Sequence, residues 1–420
     1  MPMKSNPTHV TNKNGLYDVL PEHIGEWDEV RGIIEKELQK KSFHKIHLAP
    51  FESKDLFSED LLEALKVKSE DELVTLEIQK KQMVANAPGP VSLIRAALEH
   101  KLVGSNMPLR LYSVCDLIQE DDRKNILIKS EIIGDTEPVR DAESILSAYQ
   151  VLQSLGYENL VVQVNSVGTS ECRVKYLDVV SEAVGDRYRN VMEAYRHDPI
   201  ELFTYLTELD KEYQIEIPQL IDHLSDTCQD NFRVILEFLD VLDIPYLFNP
   251  SLKASKGHFD QTYFEVFSQD YPDKVLVRGG RHDRVAKALS NGVAVEGAVG
   301  MDFDIGNILS TYKKTQEEVY QKPSVFIASI GLESQKSALK VLSMMHAEAI
   351  PVHEAFYEPS LRTQLQMARD KEVKLILIIG KKEAIEDSVI LRDRLSDNQE
   401  TVSMDKFLFV LKQRLFEEAD

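Results

Sequence analysis

The sequence has little of what membrane, secreted and metal-binding proteins require. Its 420 residues include three cysteines and one tryptophan. Cys115, Cys172 and Cys228 are far apart and form no CxxC pair, so we expect reduced thiols rather than a disulfide or a metal site. No apolar run approaches about 18 residues, and the N-terminus has no apolar segment, so neither a membrane span nor a secretory signal is predicted. We therefore expect a cytoplasmic protein without a metal or another cofactor.

Positive charge is also scarce. Lys and Arg number 49 against 70 Asp and Glu, a net charge of −21. This balance disfavours diffuse nucleic-acid binding, because phosphate contacts require clustered cations. Residues 322–420 contain 14 Lys and Arg against 16 Asp and Glu, so the acidity is concentrated in the first three quarters of the chain. The C-terminal segment is thus the part that least repels a polyanion.

The spacing of apolar residues predicts a first domain over residues 1–321. A helix is expected at 22–42, a strand at 43–51 and a strand pair at 75–84. Strands at 110–117 and 126–133 are predicted to be adjacent and antiparallel. Residues 169–250 differ, because they contain five amphipathic patterns typical of a helical insertion, at 171–184, 187–195, 200–209, 217–227 and 229–242.

A second domain is predicted over residues 322–420, after a polar linker at 315–322. Strand and helix patterns alternate here, and the apolar run VKLILII at 373–379 is typical of a buried parallel strand. A closing hairpin is expected around 389–403. The domain is therefore predicted to be a small α/β domain.

Several short motifs stand out along the chain. They are NGLYDVLP at 14–21, LAPFESKDLF at 48–57, EIIG at 131–134, NSVG at 165–168 and GGRHD at 279–283, followed by SLRTQLQMA at 360–368 and IIGKKE at 378–383. The first five, in this order, resemble landmarks of histidyl-tRNA synthetases, and the last two resemble that family's anticodon-binding domain. The resemblance implies a class II aminoacyl-tRNA synthetase core, an antiparallel sheet with helices in an α/β protein. It also implies an anticodon-binding-like α/β domain at the C-terminus and a homodimer formed through the core.

The charged residues that the family uses on ATP are mostly replaced. Gln119 stands where the family has an arginine after its motif 2 strand, and Glu120, Asp121 and Asp122 follow it. Asn307 stands at the position of a second arginine, and a third position offers only Lys256 in KGHFD. Because activation of a carboxylate on ATP needs cations around the phosphates, little adenylation is expected.

The amino-acid pocket implied by the resemblance is altered as well. Ala87-Pro88-Gly89-Pro90 replaces Pro-Glu-Gly-Thr, and His258 and Phe259 stand nearest to an expected tyrosine pair. We expect no catalytic residues. The remaining candidates for a vestigial substrate pocket are Glu52, Gln119, Asp121, Lys256 and Arg281.

Four functions stay open on these residues. The first is a pseudoenzyme that binds tRNA, through the C-terminal domain, or a protein partner. The second is a regulatory subunit of ATP phosphoribosyltransferase in histidine biosynthesis, and the third is a divergent histidine–tRNA ligase. The fourth is an enzyme for another small molecule, and the acidic residues would then favour a cationic ligand.

Overall fold

The computed structural model describes residues 19–67, 73–85, 87–104, 107–117, 125–184, 218–250, 252, 258–290, 295–313 and 324–416. The chain divides into two compact units, 1–315 and 316–420, and each is described by itself. The boundary expected at 321/322 falls in residues 314–323, which lie outside the described ranges. No helix among the described residues is both long and apolar enough to cross a membrane.

The first unit is built on an eight-stranded, largely antiparallel sheet. The strands of this unit in chain order are β1 His44–Lys45, β2 Phe51–Ser53, β3 Thr75–Ile78, β4 Lys81–Ala85, β5 Leu109–Leu117, β6 Asn125–Ile133, β7 Leu160–Gly168, β8 Tyr246–Phe248, β9 Asp260–Ser268, β10 Val277–Arg281 and β11 Ala298–Asp304. The spatial order in the large sheet is β1-β5-β6-β11-β10-β9-β7-β8, and β2, β4 and β3 form a separate small sheet. Only the edge pairs β1/β5 and β7/β8 are parallel.

Helices cover one face of the large sheet. Alternate residues of the central strands, such as Ile128, Val277 and Phe303, form one buried cluster with apolar residues of α1, α4, α6 and α8. This arrangement follows from the period of two along a strand, which puts every second side chain on the same face. The helices of this unit are α1 Pro21–Lys40, α2 Glu59–Leu65, α3 Val91–Glu99, α4 Val139–Ser154, α5 Ser170–Val184, α6 Asp226–Val241, α7 Asp283–Ser290 and α8 Ile305–Thr311.

The helical insertion differs from the prediction in two ways. In place of the helix expected at 217–227, the structure has a single 3₁₀ turn, Leu220–His223. Helix α6 begins only after Ser225, whose hydroxyl accepts a hydrogen bond from the Cys228 backbone amide. The insertion also contains β8, which pairs with β7, so 169–250 is not helical throughout. The helices expected at 187–195 and 200–209 lie outside the described residues. The strand expected at 43–51 is interrupted: β1 and β2 cover only its two ends.

The second unit has a five-stranded mixed sheet in the order β13-β12-β14-β15-β16. β13, β12 and β14 are parallel, whereas β15 and β16 form the expected hairpin on the β14 edge. Its buried cluster combines Val325, Ile327 and Leu377 with apolar residues of the helices. Its elements are β12 Val325–Ser329, α9 Leu332–Ala347, β13 Val352–Glu354, α10 Leu361–Asp370, β14 Leu375–Ile379, α11 Lys381–Ile385, β15 Ser388–Asp393, β16 Gln399–Ser403 and α12 Phe407–Phe416.

Gly279 is closely surrounded on the helix-packed face, and substitution there tests the packing. A Cβ at this position would overlap the Phe264 ring and the backbone oxygen of Gly300. Because both neighbours are buried and one is backbone, we expect Gly279→Ala to lower the free energy of unfolding by about 2–3 kcal/mol. Urea unfolding followed by fluorescence of Trp27, the single tryptophan, measures it.

Gly32→Ala is the matched control for Gly279→Ala. Gly32 lies within α1, and nothing stands within 4 Å of the position that its Cβ would take. Because alanine has the higher helix propensity, we expect this variant to gain about 0.5–1 kcal/mol. Equal effects of the two substitutions would contradict the packing described.

Candidate ligand-binding face of the large sheet

The second face of the large sheet is polar. Cross-strand register places Lys129 of β6 opposite Asp302 of β11, and Asp302 opposite Arg278 of β10. Arg278 in turn stands opposite Glu265 of β9. Four neighbouring strands therefore carry charges of alternating sign in one row. Opposite charges on directly opposed residues stabilise strand pairs, so this row is partly satisfied by the sheet itself.

Both cations of the row are held by acceptors of the protein. The Lys129 Nζ donates to the Gly89 carbonyl at 2.9 Å. The Arg278 Nε donates to Glu265 Oε1 at 3.3 Å, and its Nη1 lies 3.7 Å from Asp304 Oδ2. The Tyr263 hydroxyl donates to the same Glu265 oxygen at 2.6 Å. Burial raises the pKa of Tyr263 well above its usual value.

Buried imidazole and aromatic rings fill one end of the polar face. His258, Phe259 and His282 have ring centroids 4.5–5.3 Å apart, and each side chain is less than 10% exposed. The structure thus places His258 and His282 as buried imidazoles in mutual contact. Gly89 covers this group, because a Cβ there would press on the His258 ring.

Glu131 lies beneath these rings. Its carboxylate is 3.3 Å from His282 Nδ1. The opposed residue of β11 is Gly300, and any side chain at that position would overlap the carboxylate. Burial raises the pKa of Glu131, and His282 opposes that increase. We name this group, Glu131, His258, Phe259 and His282, the imidazole cluster.

Arg281 faces away from the polar face, towards α4. Its guanidinium forms a buried ion pair with Asp141, and it donates to the backbone oxygens of Asp135 at 3.2 Å and Glu137 at 3.0 Å. Burial lowers the pKa of Arg281, but the Asp141 and Asp283 carboxylates outweigh it and raise the pKa overall. Arg281, predicted as a pocket residue, fixes the 135–141 segment to the sheet through these contacts.

Asp283 lies beside this ion pair. Burial raises the pKa of Asp283 to about 7, although Arg281 opposes the increase. Its carboxylate accepts the Ala298 amide at 3.1 Å, which ties the start of α7 to β11.

Glu52 is also engaged within the protein. Arg95 of α3 donates to both of its carboxylate oxygens, at 2.9 and 3.0 Å. An open cleft of about 540 Å³ is lined by this pair together with His47, Glu99 and His100. The guanidinium takes two of the roughly four acceptor positions of the Glu52 carboxylate.

The other predicted pocket residues, Gln119, Asp121 and Lys256, lie outside the described residues. Asn307, at the position expected for an arginine, is described: it donates to the Val275 carbonyl at 2.8 Å and to Asp304 at 3.2 Å. The backbone N–H of Asn307 also donates to the Asp304 carboxylate, which caps the start of α8. In the described part of the chain, no group of three or more His, Cys, Asp or Glu side chains could hold a metal ion.

A second buried network was not predicted. Arg173 of α5 and Arg284 of α7 both donate to Asp260, at 3.0 and 2.8 Å. Arg173 also donates to the carbonyls of Val167, Gly168 and Phe259. The network fixes the beginning of β9 directly after the imidazole cluster. The available signal was Asp260, a carboxylate at the start of a strand that is buried over most of its length.

Comparison with known proteins agrees with this fold. Residues 324–414 match the family model described as an anticodon binding domain. Over 416 residues the chain is 22% identical to the histidine–tRNA ligase of Desulforamulus reducens, covering 96% of this chain and 99% of that protein. The histidine–tRNA ligase of Desulfotalea psychrophila is 26% identical over 404 residues, 93% of this chain and 92% of that protein.

Over nearly its whole length this chain resembles histidyl-tRNA synthetases, and residues 324–414 match the anticodon binding domain. Its fold matches apo Staphylococcus aureus histidyl-tRNA synthetase with a TM-score of 0.73 at 21% identity, covering 96% of this chain and all of that one. A Bacillus halodurans structure described as an ATP phosphoribosyltransferase regulatory subunit/histidyl-tRNA synthetase matches with a TM-score of 0.63 at 15% identity, covering 89% and 99%. At these identities the structural likeness shows the fold alone. Both the class II antiparallel sheet and the C-terminal anticodon-binding domain are thereby confirmed.

Arg281 and Arg278 give a direct test of the two faces in this synthetase-like chain. Arg281→Lys keeps one charge but loses the fork that binds the fully buried Asp141. We expect a loss of about 2–4 kcal/mol in the free energy of unfolding, followed by Trp27 fluorescence in urea.

Arg278→Lys is the same substitution on the same strand, at a residue that is 39% exposed. Its cost should stay below about 1 kcal/mol, because exposed ion pairs contribute little. A larger loss for Arg278→Lys than for Arg281→Lys would show that the assignment of faces is wrong.

Proposed function

We propose that this synthetase-like chain acts by binding rather than by forming an aminoacyl-adenylate. The imidazole cluster carries the proposal. The resemblance places the amino-acid pocket where Ala87 to Pro90 meet His258 and Phe259, and there the buried rings of His258, Phe259 and His282 contact one another, with Gly89 against His258. A substrate bound among these rings would have to displace them.

The electrostatics of the polar face support the same conclusion. Glu131, Asp302, Asp304 and Glu265 outnumber Lys129 and Arg278, and both of those cations already have acceptors. A triphosphate would have to displace these contacts in addition to approaching the acids. Transition-state charge in adenylate formation requires preorganised cations, and each lost contact of this type costs roughly 3 kcal/mol.

Asn307 adds a third argument. An arginine at this position could reach a phosphate, whereas the Asn307 amide is neutral and donates to Val275 and Asp304. Burial raises the pKa of Asp304, so its charge is itself unfavourable in this environment. Asp304 therefore serves as the N-cap of α8, and its carboxylate accepts the backbone N–H of Asn307.

The proposed partners follow from the two units. We infer a cytoplasmic homodimer formed through the first unit, with tRNA bound through the second unit or a protein partner bound in its place. Lys381 and Lys382 are adjacent exposed lysines that follow β14, at the carboxyl edge of its parallel strands. Ligands of open parallel sheets bind at this edge, which makes the pair the best candidate contact for RNA.

A second candidate function is the regulatory subunit of ATP phosphoribosyltransferase. The fold likeness to the Bacillus halodurans protein, whose description joins that role with histidyl-tRNA synthetase, favours it. Such a subunit must bind the end product, so histidine alone should then raise the thermal unfolding midpoint. The filled imidazole cluster argues against this response.

Two further candidates remain testable. A divergent histidine–tRNA ligase is favoured by the names of the full-length relatives. An enzyme for a cationic small molecule is favoured by the excess of acids on the polar face.

Catalysis is tested by ATP–pyrophosphate exchange. We expect no histidine-dependent exchange above the rate without enzyme, because the phosphate-binding cations are replaced or already paired. An active histidyl-tRNA synthetase assayed in parallel serves as the control. Robust exchange that requires histidine would overturn the proposal in favour of the divergent ligase.

RNA binding is tested on the full chain with tRNA at several salt concentrations. If the second unit binds tRNA, Lys381→Glu/Lys382→Glu should weaken binding about tenfold or more and reduce the dependence on salt, because two phosphate contacts are lost.

Lys336→Glu/Lys340→Glu changes the charge of the second unit by the same amount on α9 and is the matched control. If both double variants weaken binding equally, net charge rather than this edge would be responsible. Absence of tRNA binding by the unmodified chain would leave a protein partner as the binding function.

A further inference from the structure

Two cysteines that are far apart in sequence meet at the base of the helical insertion. Cys172 lies in the first turn of α5, three residues after Thr169, and Cys228 lies in the first turn of α6, three residues after Ser225. The two Sγ atoms are 3.7 Å apart. Both side chains are buried, at 1% and 2% exposure, in a cluster with Leu224.

The surroundings of Cys172 favour a thiolate. Its sulfur accepts hydrogen bonds from the Ser225 amide at 3.3 Å and from the Thr169 hydroxyl at 3.4 Å. It also faces the start of α6, where the helix dipole stabilises negative charge. Although burial raises the pKa of Cys172, these hydrogen bonds lower it to about 7 overall. Burial raises the pKa of Cys228, so the two thiols are unequal.

We propose that Cys172 and Cys228 form a reversible disulfide that closes the base of the insertion. A disulfide needs the sulfurs about 2 Å apart, so the two atoms must approach each other by less than about 2 Å. The bond would join the first turn of α5, which follows β7 and Thr169, to the first turn of α6. Residues 173–227 would then be enclosed in a covalent loop. The insertion would then be fixed to the edge of the large sheet at both of its ends.

A peroxide is the oxidant class that suits this pair. The Cys172 thiolate attacks one peroxide oxygen and breaks the O–O bond, giving a Cys172 sulfenic acid and, after protonation of the leaving hydroxide, water. The Cys228 thiol then attacks the sulfenic sulfur and a second water leaves. In total, two thiols and hydrogen peroxide give one disulfide and two waters. A dithiol reductant reverses the reaction by thiol–disulfide exchange.

Cys115 provides an internal control. It lies on β5, away from both helix starts, and its thiol lies 4.0 Å from the Ser113 carbonyl of its own strand. Cys115 is more exposed than the pair, but β5 lies five strands from β7 in the sheet, so peroxide should form no disulfide between Cys115 and either partner.

The experiment oxidises the folded full chain with a small excess of hydrogen peroxide and maps unreduced peptides by mass spectrometry. We expect a Cys172–Cys228 cross-linked peptide, loss of two of the three free thiols and a thermal unfolding midpoint raised by about 5 °C, because a long loop is closed. A dithiol reductant should reverse all three changes.

Single serine variants separate the roles of the two thiols. Cys228→Ser should accumulate a sulfenic acid on Cys172 without a rise in the midpoint, whereas Cys115→Ser should behave like the unmodified chain. If a variant does not fold, peptide mapping of the unmodified chain still decides the question. Two thiols that stay reduced in the folded chain, a cross-link that involves Cys115, or a bond formed only after denaturation would each overturn the proposal.

Discussion

The period of two along the strands of the large sheet is the constraint on which the rest of the structure depends. One set of alternate residues, including Ile128, Val277 and Phe303, packs against the helices and supplies the apolar burial that holds the fold. The other set, including Lys129, Arg278 and Glu265, is then forced onto the opposite face. Any ligand-binding ability of this unit must come from that second set.

The charged side chains of the polar face are paired mainly with other groups of the same protein. A buried charge is costly unless it is paired, and the buried Lys129 and Glu131 have partners within the protein, as does the partly exposed Arg278. Such pairing stabilises the unliganded sheet but leaves less free energy for binding phosphate. The two faces thus account for a preserved class II fold together with a proposed loss of adenylation.

Local signals in the sequence predicted much of the fold. The strand pair β3/β4, the adjacent strands β5 and β6 and the C-terminal hairpin follow from alternation and turn residues over short distances. The bounds of the insertion were less predictable, because β8 is a three-residue strand whose only signal is its pairing with β7. Its existence depends on a tertiary contact.

The site was predicted less well, since its decisive contacts join distant residues. Arg281 meets Asp141 and Glu52 meets Arg95 only after folding, so nothing in the sequence indicates that these candidates are held in ion pairs within the protein. Likewise, sequence spacing separates Cys172 from Cys228, whereas the two helix starts bring them together. Gln119, Asp121 and Lys256 remain predictions, because they lie outside the described residues.

Isothermal titration calorimetry with a non-hydrolysable sulfamoyl analogue of histidyl-adenylate tests the central claim most directly. The analogue carries both the amino-acid and the nucleotide parts of the intermediate, so it probes the imidazole cluster and the polar face together. If the protein's own side chains occupy and neutralise the site, millimolar analogue should give no saturable heat. Saturable binding with a Kd of about 1 μM or below, worth about 8 kcal/mol, would contradict the account.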